Sequence, residues 1–252
     1  MIIAVSGKGG TGKTVVSSLL VKVLSEKDEY DILAIDADPD ANFSDALGVS
    51  AEKTIGSVRE GIIKDRDQRS PTQSWRSKLE YDVLGATIET DKFDILVMGR
   101  PEGQGCYCPV NHVLREIIDK TAKNYDYVII DTEAGLEHLS RRTTQDVDFM
   151  LVVTDPSKRG ITTAQRIKEL SENLSINFKG IYLVANRTSP ENEEKIREYA
   201  EEIGLEVLGF IPEDEKVSEF DFTGRPLMEL KDSKALSSVE KIVERLAAYN
   251  EN

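Results

Sequence analysis

The octapeptide at residues 7–14, GKGGTGKT, directly follows the apolar run 2–5 and directly precedes the apolar, helix-like stretch 15–24. Strand, glycine-rich loop, helix is the order a phosphate-binding loop requires. Gly7, Gly12, Lys13 and Thr14 satisfy the pattern G-x-x-x-x-G-K-[ST]. Gly7, Gly9, Gly10 and Gly12, with Thr11 among them, let the backbone curl until several N–H groups face one point. The positive end of the following helix adds to that field. Lys13 is placed to reach the terminal phosphates of a nucleotide, and the Thr14 hydroxyl to ligate Mg²⁺.

Short apolar runs recur at 2–5, 31–35, 95–98, 127–130, 149–153, 181–185 and 207–211, with helical stretches at 13–27, 110–123, 161–173, 191–203 and 234–249. Strands this apolar, separated by helices, imply a mostly parallel sheet covered on both faces, an α/β doubly wound fold of the P-loop NTPase kind. Ligands of such a sheet sit at the C-terminal edge of its strands. The chain's 252 residues suit a single domain, 1–252. The polar segment 50–92, which holds the only tryptophan, Trp75, reads as an insertion with a short helix, a mobile loop and a hairpin around 83–88.

Charge and composition exclude several functions. A net charge of −14 with no basic run argues against nucleic-acid binding, which needs clustered Lys and Arg. No apolar stretch has the length of a membrane span, and none has the pattern of a signal peptide. Two cysteines one residue apart do not make a secreted disulfide framework, so a cytoplasmic protein is expected. Near the end, Leu236, Val239, Ile242, Val243 and Leu246 form one apolar helical face, flanked by Glu240, Lys241, Glu244 and Arg245. That mixture suits a helix packed on its own domain, not a membrane anchor.

A second lysine, Lys8, stands one residue after the first glycine of the loop. With it, the chain resembles the deviant Walker A ATPases, the family of septum-site, plasmid-partition and metallocluster-assembly ATPases. The resemblance implies ATP hydrolysis in a homodimer, with Lys8 reaching the nucleotide of the other subunit. The carboxylates of the segment 36–42, DADPDAN, follow the second strand and suit water-mediated Mg²⁺ coordination and orientation of an attacking water. The resemblance gives Asp36 the Mg²⁺ shell and Asp38 the water, in a first switch; Asp40 reads equally as a helix cap. The run 125–131 ends an apolar strand in Asp131, a Walker B arrangement and a Mg²⁺ candidate, with 132–135 as a second switch. Residues 186–189 read NRTS where many GTPases carry Asn-Lys-x-Asp, and the amide of Asn186 offers adenine a donor and an acceptor. The family places such an asparagine on the adenine and a proline loop on its face, for which Pro212 and Glu213 stand. ATP/ADP is the nucleotide expected.

Residues 103–109, GQGCYCP, hold both cysteines. Pro109 suits a first helical position, so Cys108 lies near a helix N-cap, where a thiol is readily a thiolate. Cys106 and Cys108 together supply two sulfurs, short of a complete site, and a twofold dimer supplies the other pair. His112 is either an auxiliary ligand or a surface residue; His138 receives no role. The runs 99–103 (GRPEG), 105–108 (GCYC) and 131–138 (DTEAGLEH) resemble the nickel-insertion ATPases that mature carbon monoxide dehydrogenase. That likeness implies a nucleotide- and metal-promoted dimer carrying Ni²⁺, with Zn²⁺ possible in its place, to the metallocluster of the apo-enzyme. A related nickel enzyme such as acetyl-CoA synthase is an equal client. An iron–sulfur reductase or scaffold and a partition-type positioning ATPase are the alternatives.

Overall fold

Strands buried on both faces need no polar alternation, which is why the apolar runs are continuous. In the computed structural model these runs join one eight-stranded sheet. The structure describes residues 1–64, 75–100, 108–133, 147–172 and 178–250, with backbone alone at 108, 109 and 172. The strands are β1 (Ile2–Gly7), β2 (Ile32–Asp36), β3 (Ile88–Glu89), β4 (Asp94–Val97), β5 (Tyr127–Asp131), β6 (Phe149–Thr154), β7 (Gly180–Thr188) and β8 (Glu206–Pro212). Their spatial order is β3-β4-β2-β5-β1-β6-β7-β8. Every pairing is parallel except that of β3 with β4. The helices are α1 (Lys13–Ser25), α2 (Asn42–Leu47), α3 (Ile55–Lys64), α4 (Trp75–Leu84), α5 (Cys108–Ala122), α6 (Lys158–Glu172), α7 (Pro190–Glu202), α8 (Glu215–Thr223) and α9 (Lys234–Asn250).

Side chains of a strand alternate between faces, so each face has its own core. Ile3 and Val5 of β1 pack with Leu20 of α1 and Val239 and Ile242 of α9. Ala4 packs on the other side, with Ile117 of α5 and Ile161 of α6. From Val16 to Ser25 every residue of α1 is buried. All five apolar residues expected on α9 are buried, so this helix lies against its own domain. Among the described residues no helix is long and apolar enough to cross a membrane.

The insertion is more helical than its composition suggests, because only Leu79 and Val83 of α4 are buried. The hairpin expected around 83–88 is displaced. Val83 belongs to α4, where the Gly85 N–H donates to the Tyr81 carbonyl at 2.9 Å. The antiparallel pair is instead β3 with β4, and the Thr90 hydroxyl accepts from the Phe93 N–H at 3.1 Å in the turn between them. Residues 65–74, where part of the expected loop falls, lie outside the described residues.

Candidate nucleotide and metal site

Parallel pairing brings the ends of β1, β2 and β5 to one edge, and the register sets Asp36 directly beside Asp131. The loop after β1 turns back at once. The Thr11 hydroxyl donates to the Lys8 carbonyl at 2.8 Å, and the Thr11 N–H reaches the same oxygen at 3.3 Å. A Cβ at Gly7 would stand 2.3 Å from the Val153 carbonyl of β6. Gly12 is in the left-handed region, at φ 86°, and caps α1 without a side-chain hydrogen bond. The first N–H groups of α1 are therefore left to a ligand, at the positive end of the helix.

Asp131 is fully buried and accepts from the Thr14 hydroxyl at 2.7 Å and the Ser17 hydroxyl at 2.8 Å. Burial pushes its carboxyl up to about 6, against those hydroxyls and the Lys13 charge. Asp36 is also fully buried; its Oδ2 accepts from the Phe43 and Ser44 N–H groups at 3.1 and 3.0 Å, and Oδ1 from the Asp38 N–H at 3.2 Å. Burial, with the Asp131 charge adding to it, raises Asp36 to about 7 against the Ser44 and Asp38 hydrogen bonds. Two adjacent buried carboxylates and a threonine hydroxyl are hard oxygen donors short of positive charge, which fits Mg²⁺. Asp36 also caps α2, the helix for which the sequence offered Asp40 as a cap. Asp38 in turn accepts from the Asp40 N–H at 2.9 Å, and Asp40 pairs with Arg100.

A cavity of about 580 Å³ opens against the loop. That is the range of a small-molecule site. Gly9, Gly10, Gly12, Lys13, Thr14 and Asp38 line it, together with Glu133, while Gly7, Lys8 and Thr11 do not. Its far wall was not foreseen. Arg187 contributes from β7, and Phe220 and Arg225 from α8 and the turn after it. The Arg225 guanidinium lies over the Phe220 ring, 4.1 Å from its centre, and 3.2 Å from Glu229. The Asp214 cap and Gly224 could have announced α8, but no sequence signal ties it to the loop.

The residues expected at the base lie at the ends of β7 and β8. Asn186 is 5% exposed, and its Nδ2 donates to the Thr11 carbonyl at 2.9 Å. Pro212 pairs with Thr188 at the end of β8, and the Glu213 N–H donates to the Thr188 carbonyl at 3.3 Å. None of the three is on the cavity wall, whereas Arg187 is.

Cys106 and His138 lie outside the described residues, as does the second switch beyond Glu133. Cys108 is the first residue of α5, the helix N-terminus foreseen for it. His112, one turn on, is exposed, with Nε2 3.2 Å from Glu116 Oε1. Among the described residues no three His, Cys, Asp or Glu converge as a metal site.

The description of one family matches residues 2–227: the CobQ/CobB/MinD/ParA nucleotide-binding domain. The chain belongs to this family. It is a P-loop ATPase of the MinD/ParA kind, and its sheet is the fold of that family. An ATP-binding protein of Methanocaldococcus jannaschii is 52% identical over 98% of both chains. The carbon monoxide dehydrogenase accessory protein CooC of Rhodospirillum rubrum is 33% identical over 98% of this chain and 97% of its own. Among solved structures, the cell division ATPase MinD of Pyrococcus furiosus superposes with a TM-score of 0.70 at 25% identity, over 98% of both chains.

Proposed function

We propose that this ATPase is a metallochaperone that delivers Ni²⁺ to the metallocluster of a carbon monoxide dehydrogenase or a related nickel enzyme. The observation that carries the reading is its 33% identity to the R. rubrum accessory protein across nearly the whole of both chains. The pair Cys106 and Cys108 supports it, since soft thiolates suit a borderline metal and a dimer would complete four of them.

In this reading ATP occupies the cavity with its phosphates on the loop. Lys13 neutralises the terminal phosphates, Lys8 reaches the partner's nucleotide, and Asp38 orients the attacking water. Catalysis of this kind is positioning and charge neutralisation. Mg²⁺ would supply further charge neutralisation there. Thr14, Asp36 and Asp131 would hold it, directly or through water, and Asp36 also fixes the turn that carries Asp38. A partition-type positioning role is favoured by the MinD-like fold alone. The net charge of −14 and the packed apolar face of α9 weigh against it.

The test is activation of nickel-free carbon monoxide dehydrogenase by Ni-loaded protein and ATP. Wild type is expected to activate the client, with one metal bound per two chains. Cys106→Ser and Cys108→Ser are each expected to lose the metal and the activation while still binding ATP. One tightly held metal per monomer, or activation by the serine variants, would remove the shared-site reading.

A further inference from the structure

The first turns of α3 hold the chain on both sides of the cysteine segment, before it and after it. The chain runs toward residues 101–107 from the end of β4. There the Met98 N–H donates to the Asp36 carbonyl, and the Met98 carbonyl accepts from the Gly56 N–H, each at 2.8 Å. Gly56 is the second residue of α3, and its amide is one of those that a helix start leaves without a partner of its own. The fit is close. A Cβ at Gly56 would stand 2.7 Å from the Arg100 carbonyl. Gly99 turns at φ 64°, and a Cβ there would stand 2.7 Å from Thr54. The Thr54 hydroxyl accepts from the Ser57 N–H at 3.2 Å and so caps α3. Glycine at both positions lets the two backbones pass.

On the far side of the segment the chain continues as α5. One turn on from Gly56, on the same face of α3, the Arg59 Nε–H donates to Asn111 Oδ1 at 2.9 Å. Asn111 lies in the first turn of α5, three residues beyond Cys108. Both side chains are half-buried. Arg76 with Glu116 and Lys120 with Glu80 also reach α5, but they start from α4 and are exposed, where ion pairs contribute little. Of these three ties, Arg59 with Asn111 is the one drawn out of water and the one nearest Cys108. A hydrogen bond from a charged donor is also of the stronger kind. A stretch of chain with both ends fixed to one body has fewer arrangements open to it. A site that must bring two thiolates of each chain to two more across a twofold axis gains affinity from that, because less freedom is lost on binding.

We propose that Arg59 is a positioning residue for the cysteine pair: through Asn111 it fixes the start of α5 against the chain at 98–100, so that one helix sets both anchors of the segment. The inference rests on the reading of Cys106 and Cys108 as a nickel site. Its test measures Ni²⁺ affinity by competition with a chromogenic chelator, and Mg-ATP affinity by calorimetry. The proteins compared are wild type, Arg59→Met, Asn111→Leu, the double variant of these two, and Asn111→Asp. Arg59→Met keeps the aliphatic stem and removes the donor, Asn111→Leu keeps the volume and removes the acceptor, and Asn111→Asp keeps the acceptor. Arg59→Met and Asn111→Leu are each expected to weaken Ni²⁺ binding by about 10-fold. The double variant is expected to lose no more than either alone, because the two changes break one bond. Asn111→Asp should hold Ni²⁺ as wild type does, and every variant should bind Mg-ATP as wild type does. Additive losses in the double variant, wild-type nickel affinity in Arg59→Met, or a matching loss of ATP affinity would overturn the positioning role and leave the nickel reading in place. Wild type that holds Ni²⁺ no better than Cys106→Ser would remove both.

Discussion

At the scale of single residues, the loop is organised by what each side chain does to its neighbours' amides and charges. Lys13 lines the cavity floor at the start of α1 and lowers the cost of the buried Asp131 charge. Lys13→Ala is expected to reduce turnover by about 100-fold or more, the usual loss when a charge-stabilising group is removed. Lys8→Ala is expected to impair turnover with a milder loss of ATP binding, because its proposed target is the partner's nucleotide. Steady-state hydrolysis and nucleotide titration check both, and a wild-type rate in Lys8→Ala would contradict the cross-subunit role. The residues of the loop were legible because their pattern is local: glycine spacing, one lysine, one hydroxyl. Arg187 was not, because its place depends on a register shift between β7 and β8, far in sequence from the loop it meets. Asp36 was read for its charge, and its capping of α2 was hidden because α2 itself carries no strong periodic signal over six residues.

At the scale of elements, one carboxylate ties the last two long helices together. Asp214 accepts from the Lys216 N–H at 2.9 Å as the cap of α8, and from the Ser233 hydroxyl at 2.8 Å and the Ala235 N–H at 3.1 Å at the start of α9. Partial burial pushes its carboxyl up, but the Ala235, Ser233 and Lys216 hydrogen bonds outweigh this and hold it below 3.8. Asp214→Ala should lower unfolding stability by about 1–2 kcal/mol in urea at neutral pH. A depressed acid contributes fully above its unfolded value and loses that contribution as pH falls through the folded one. The gap between wild type and variant should therefore hold at pH 6 to 8 and close below about pH 4. A gap that widened in acid would show that another group carries the effect. The strands were legible at this scale because buried runs leave little choice, and the α9 face because its period is clean. The insertion was not: α4 buries two side chains in ten residues, too few to mark a helix.

At the scale of the whole molecule, nucleotide and metal would be linked through association. Lys8 would join the subunits at the phosphates, and Cys106 and Cys108 at the metal, so each ligand should raise apparent affinity for the other. Such coupling is reciprocal and typically about 1–3 kcal/mol. Sedimentation of apo, metal-loaded, ATP-loaded and ADP-loaded protein tests it, and an unchanged monomer–dimer balance in all four would refute it. Within one subunit, the Met98 N–H donates to the Asp36 carbonyl at 2.8 Å, and Arg100 pairs with Asp40, so the segment 36–42 touches the chain just before the cysteines. The sheet order has a further consequence, for the growing polypeptide. β1 is made first, yet its neighbours are β5 and β6, and α1 is covered by α9. A nascent chain that has left the ribosome only as far as Asp126 carries the whole octapeptide but neither neighbouring strand nor the Thr14 partner, Asp131. Such a fragment is expected not to retain ATP on a filter. Nucleotide capture is thus expected to wait until β5 and β6 have emerged, past the midpoint of the 252-residue chain.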